Sequence, residues 1–161
     1  MITRFGNRLA RLASLALGAM VASVAVAMAA QAPANAQAAY GSYIGIGPAF
    51  GDGEIGVAIN GRYNILELPI SIRGAAFLGE GSAFVPTISY DYPLNFNTEI
   101  FVGAGVAFAS EGSVMGDGTA FVLQPGVDFI TDNNLVFYGN AIVPIGGDTN
   151  TAVQGGIGYQ F

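Results

Sequence analysis

Two arginines, Arg62 and Arg73, and three acids, Asp91, Glu99 and Asp128, are the residues of this chain best placed to act on one another. Each lies in a stretch where apolar and polar residues alternate with period two, the mark of a β-strand, and each falls on the polar side of that alternation. A guanidinium and a carboxylate held together away from water form a strong, charge-assisted pair. Asp91 with Glu99 can also be drawn as an acid/base couple, but two arginines on matching faces make them counter-ions first.

Other chemistries lack their parts. The chain has no His and no Cys, which removes the commonest general base and metal ligand and any disulfide staple. Ser82, Ser110 and Ser113 sit in connections with no base beside them, so a nucleophile has nothing to activate it. Gly45-x-Gly47-x-x-Phe50 places a Phe where a dinucleotide loop needs its third glycine, and no helix follows. The reading is therefore a non-enzyme with no cofactor and no dedicated metal site.

The charge is lopsided. Lys is absent, and beyond Arg11 the only basic residues are Arg62 and Arg73, against eleven Asp and Glu. Nucleic acid is excluded as a partner, because a phosphate backbone requires neutralising cations. Asp52, Glu54, Glu80, Glu111, Asp117 and Asp148 fall in or beside alternate connections and form an acidic rim. Gly51-Asp52-Gly53 and Gly116-Asp117-Gly118 read as tight turns rather than calcium loops. Loosely bound divalent cations remain compatible with that rim.

The elements that must position these residues are strands. In Glu54 to Ile65, Ile55, Val57, Ile59, Tyr63 and Ile65 share one face, while Glu54, Gly56, Ala58, Asn60, Arg62 and Asn64 share the other. The same pattern gives eight segments: 40–50, 54–65, 70–78, 83–92, 98–108, 119–130, 135–143 and 151–161. The connections between them are rich in turn formers, and none is long enough to be a plug or a second domain. Antiparallel pairing then sets Arg62 opposite Arg73 and Asp91 opposite Glu99. Two aromatic groups gather at opposite ends of the apolar face: Tyr40, Tyr63, Tyr90, Tyr92, Phe129, Phe137, Tyr159 and Phe161 at one, Phe50, Phe84, Phe108 and Phe121 at the other.

Both ends of the chain carry signals. Arg4, Arg8 and Arg11 precede an apolar stretch from Leu12 to Ala30, and Ala34-Asn35-Ala36 offers the small residues of a cleavage site. Residues 1–36 read as a signal peptide and 37–161 as the mature domain. The chain closes with Gln154-Gly155-Gly156-Ile157-Gly158-Tyr159-Gln160-Phe161. Gln154, Gly156, Tyr159 and Phe161 there resemble the C-terminal signal by which bacterial outer-membrane β-barrels are recognised for assembly.

That ending and the strand pattern resemble the small OmpA/OmpX-type, porin-like outer-membrane barrels. The resemblance implies an all-β fold, an eight-stranded antiparallel up-and-down transmembrane barrel, in the outer membrane of a Gram-negative envelope. It implies membrane lipid and the barrel assembly machinery as partners, and an interior salt-bridge network closing the lumen near the periplasmic end. The function expected is a structural or surface one. The alternative is a narrow passive pore favouring small cations, suggested by the acidic rim and the inward glycines.

Overall fold

The computed structural model describes residues 41–65 and 68–161. Eight strands follow in chain order: β1 (Tyr43–Gly51), β2 (Glu54–Asn64), β3 (Ile70–Leu78), β4 (Ser82–Pro93), β5 (Thr98–Ser113), β6 (Gly116–Ile130), β7 (Leu135–Pro144) and β8 (Ala152–Gln160). Each pairs antiparallel with the next, and β8 returns to β1, so the sheet closes into an up-and-down barrel. Closure leaves no strand edge with unpaired backbone groups. The expected signal peptide, residues 1–36, and the aromatic Tyr40 lie outside the described residues.

Turn chemistry sets the registers. Asp52 and Gly53 both adopt positive φ, 51° and 79°, between the paired Gly51 and Glu54. That is the two-residue hairpin favoured by Asp-Gly. Arg62 pairs with Arg73 across β2 and β3. The expected pairing of Asp91 with Glu99 is not found: Asp91 faces Phe101, and Glu99 faces Pro93. The physical reason is a turn of the same length set one residue further along the chain, over 94–98. Asn95 Oδ1 accepts from the backbone N–H groups of Asn97 and Thr98, each at 2.9 Å, and Leu94 N–H donates to Thr98 O. β4 therefore runs on through Pro93, and the ladder shifts by two residues. Glu99 meets a like charge on its other side, where its partner is Asp128.

Polarity is inverted relative to a water-soluble barrel. Ile44, Ile46, Ile55, Ile72, Ile88 and Ile157 point outward and are exposed, whereas Arg62, Asp91, Glu99 and Asp128 point inward and are buried. At the end where β1 starts and β8 finishes, here the terminal end, Tyr63, Tyr90, Phe129, Phe137, Tyr159 and Phe161 stand exposed on the outside; Tyr92 beside them is half-buried. Phe50, Phe84, Phe108 and Phe121 do the same at the distal end. Phe84 pairs with Phe108 and Phe129 with Phe137, so the aromatics form cross-strand patches rather than isolated rings.

One element departs further from expectation. β5 and β6, of 16 and 15 residues, are the longest strands and run past the rim where a loop over 109–118 was expected. A register shift between Ala109 and Ser113 bends the extension, and Gly112 and Gly116, both at φ 77°, let the chain turn inward. The tip residues Val114 and Met115 are buried, at 3% and 0% exposure. The expectation that no connection plugs the lumen fails here, because the hairpin folds its own tip into the mouth.

Candidate functional site

The lumen is filled in layers, each produced by inward positions on neighbouring strands. Towards the terminal end, just inside buried Ile130 and Val136, is the charged layer. Arg62 on β2 approaches Asp91 on β4 at 3.3 Å, Glu99 on β5 at 2.7 Å and Asp128 on β6 at 3.4 Å. Arg73 on β3 lies 3.0 Å from Asp91, 3.9 Å from Glu99 and 2.9 Å from Asp128. All five sequence-derived residues thus meet in one buried cluster.

Period two carries further members that the sequence reading missed. Ser71 and Ser89, two residues from Arg73 and Asp91 on the same faces, are cross-strand partners. Arg62 Nε donates to Ser71 Oγ at 3.1 Å, and Arg73 Nε donates to Ser89 Oγ at 2.9 Å. Both hydroxyls then donate to Asp91. Tyr43 OH donates to Asp128 Oδ1 at 3.0 Å, and the Arg73 guanidinium lies 3.4 Å over the Phe101 ring, a favourable stack for a buried cation. Low dielectric makes such a network strong when satisfied and costly when broken.

Glu99 is the odd member. Its carboxylate accepts no aligned hydrogen bond among the described residues, although Oε1 touches Arg62 Nη2. The guanidinium N–H groups are directed at Asp91 and Asp128 instead. Two positive charges serve three negative ones.

The next layer is neutral and was not foreseen. Asn60 and Gln154 exchange two side-chain amide bonds, 2.7 Å and 3.0 Å. Gln154 and Gln124 both donate to Asn140 Oδ1, at 2.8 Å and 3.2 Å. Thr87 Oγ1 donates to Gln124 Oε1 at 2.6 Å, and Asn60 Nδ2 donates to Tyr138 OH at 3.1 Å. Inward amides recurring between outward apolar residues were the available signal. Inward glycines make room for the large residues: a Cβ at Gly156 would sit 2.6 Å from Tyr138 OH, and one at Gly158 would sit 3.1 Å from Tyr43. Tyr43 and Tyr138 stack at 5.9 Å.

The distal layer is apolar. Phe77, Val85, Val122 and Ile142 line it together with alanines, and Val114 and Met115 pack into it from the hairpin tip.

The remaining sequence candidates distribute as follows. Asp52, Glu54, Glu80, Glu111, Asp117 and Asp148 all lie at the distal end; Glu54 is half-buried and the rest are exposed. Asn150 Nδ2 donates to Asp52 at 2.8 Å. Among the described residues, no group of three acidic residues is arranged to hold a metal ion, at this rim or elsewhere. In the C-terminal strand Gln154 belongs to the amide layer and Gly156 packs under Tyr138, while Tyr159 and Phe161 are exposed outside. Ser110 Oγ donates to Ser82 O and accepts from Ser82 N–H, and Ser113 Oγ donates to Gly116 O at 2.7 Å. These serines staple hairpins together.

The fold and its contents define a closed, eight-stranded, up-and-down β-barrel with an apolar exterior and a packed interior. No protein-family model matches the chain, and no curated protein matches it by sequence. Among solved structures, the backbone of the Yersinia pestis outer membrane protein Ail in a phospholipid bilayer nanodisc is similar, with a TM-score of 0.54 at 16% identity, covering 76% of this chain and 100% of Ail. A crystal structure of Ail aligns at a TM-score of 0.49 and 17% identity, covering 75% and 99%. At such identity the first likeness is one of fold.

Proposed function

We propose that this chain is a small integral outer-membrane β-barrel with a structural or surface role, its lumen closed by the layer of Arg62, Arg73, Asp91, Glu99 and Asp128. The carrying observation is the inverted polarity: a continuous band of exposed Ile and Val between two aromatic ends, around buried arginines. Acyl chains satisfy such a surface, and aromatic girdles mark its two interfaces. In this reading residues 1–36 export the chain, and the strand carrying Gln154, Gly156, Tyr159 and Phe161 presents it to the assembly machinery. The acidic outer rim meets anionic surface glycolipid through loosely held divalent cations. A role without catalysis fits a chain whose buried acids are all engaged near arginines.

A second reading, a narrow pore favouring small cations, draws on that rim. Against it, Tyr43, Tyr138 and Phe101 occupy the space that inward glycines leave, and the amide layer lies across the lumen above the ionic one. Conductance of purified protein in planar bilayers separates the two. A closed barrel gives no steps above leak at either polarity, whereas regular cation-selective steps would establish the pore and remove the closed reading.

A further inference from the structure

The distal half of the lumen has the composition of a ligand pocket, and the chain's own hairpin tip occupies it. Six of the buried residues in its cluster are alanine: Ala49, Ala58, Ala75, Ala83, Ala107 and Ala152. Elsewhere the lumen is crossed by Arg, Tyr, Phe and Gln side chains; here Phe77, Val85, Val122 and Ile142 reach in from the wall, and the alanines do not reach across to them. Val114 and Met115 fill the difference, packed in the same cluster as those alanines. Met115 enters as an unbranched, fully buried chain.

Below this socket the wall changes character in one step. Ala58 gives way to Asn60, Val85 to Thr87, Val122 to Gln124, Ile142 to Asn140 and Ala152 to Gln154, each two residues along its strand, or roughly 6.6 Å. Apolar walls over a few polar groups in a β-barrel mouth are the usual pattern of a small-molecule site.

The tip rests on the rim through few bonds. Gly81 N–H donates to Gly112 O at 2.9 Å, Asn150 N–H donates to Met115 O at 2.7 Å, and Gly116 makes a lone bridge to Thr149. Glycines form its seat. A Cβ at Gly56 would press on Val114 Cγ1 at 3.2 Å, and one at Gly51 or Gly81 would run into the tip's backbone. Gly112, Gly116 and Gly118, at φ 77°, 77° and 129°, supply turns that other residues rarely adopt.

We infer that the distal lumen is a binding pocket for one unbranched alkyl chain with an uncharged polar end, and that the Val114–Met115 tip is its built-in competitor. The occupant in place already has the required shape, since a methionine side chain is a flexible, unbranched, apolar rod. A neutral end group suits the amide layer beneath, which carries no charge. The source is a free amphiphile entering through the distal mouth, because the strands close the wall on every side. This inference concerns the lumen alone and stands or falls separately from conductance.

The chain contains no Trp, so Phe77→Trp gives a lone reporter in the socket. Refolded in lipid nanodiscs and titrated with a brominated primary alcohol, it should show saturable quenching. In Phe77→Trp/Met115→Ala the half-saturation concentration should fall at least ~10-fold, about 1.4 kcal/mol, because the competitor has lost its side chain. Linear quenching identical in both variants overturns the pocket. Quenching by nanodiscs of brominated lipid, with none from the alcohol, overturns the free amphiphile as the source. If the Trp variant does not fold, the unaltered chain still decides. Met115 is the only methionine among the described residues, and the alcohol should speed its oxidation by peroxide, read by mass on its peptide. Oxidation indifferent to the alcohol contradicts the proposal.

Discussion

Glu99 and Asp128 face each other across the β5–β6 ladder, yet their surroundings differ sharply. Asp128 accepts from Tyr43, Arg62 and Arg73, whereas Glu99 accepts no aligned bond among the described residues. Asp128→Asn should therefore lower the stability of the refolded barrel in urea, and Glu99→Gln should be neutral or stabilising, since it removes the surplus negative charge at the same volume. Arg62→Ala strips a shared partner from three carboxylates and should cost about 3 to 5 kcal/mol, visible as a lower melting temperature and loss of the unheated fast-running gel band. An unchanged melt for Arg62→Ala would mean that the cluster contributes nothing. The five charged residues were legible because charge on an inward strand position is rare and conspicuous. Ser71, Ser89 and Tyr43 were not, since Ser and Tyr are ordinary strand residues until register brings them to a carboxylate.

Glycine and amide positions within the strands decide how the layers fit. A Cβ at Gly156 would collide with the Tyr138 hydroxyl, while one at outward Gly61 would meet nothing within 4 Å. Gly156→Ala should cost about 1 to 3 kcal/mol by overpacking, and Gly61→Ala should leave urea unfolding unchanged or slightly improved. Equal effects at the two sites would undo the inward-outward assignment. Gln154→Leu leaves Asn60 and Asn140 short of partners and should cost about 1 to 3 kcal/mol in the same assay. Strand order and the Arg62–Arg73 register followed from alternation and turn length. The Asp91–Glu99 register did not, because the side chain of Asn95 holds its turn one residue further along and lengthens β4 by a residue that no alternation pattern marks. The inward hairpin tip was hidden for a related reason. A glycine-rich stretch reads as loop, and only the positive φ of Gly112 and Gly116 turns it into an extension folded over the mouth.

For the molecule as a whole, the proposed function rests on one physical condition: that the solvent of the outer wall is hydrocarbon. Ile55 at 72% exposure and Ile88 at 63% would disfavour a soluble barrel, while in a bilayer they stabilise it. Buried charge is then confined to the lumen, where it finds partners from β2 to β6. The chain has no Cys, so single spin labels can be placed without background at outward Ile59, Ile72, Ile88 and Val127 in protein reconstituted into bilayers. The measurement is their relaxation by oxygen, which partitions into lipid, against relaxation by a water-soluble nickel chelate. All four labels should be open to oxygen and shielded from nickel. Labels open to nickel at these positions would mean that water wets the outer wall, and the membrane-spanning account would be wrong.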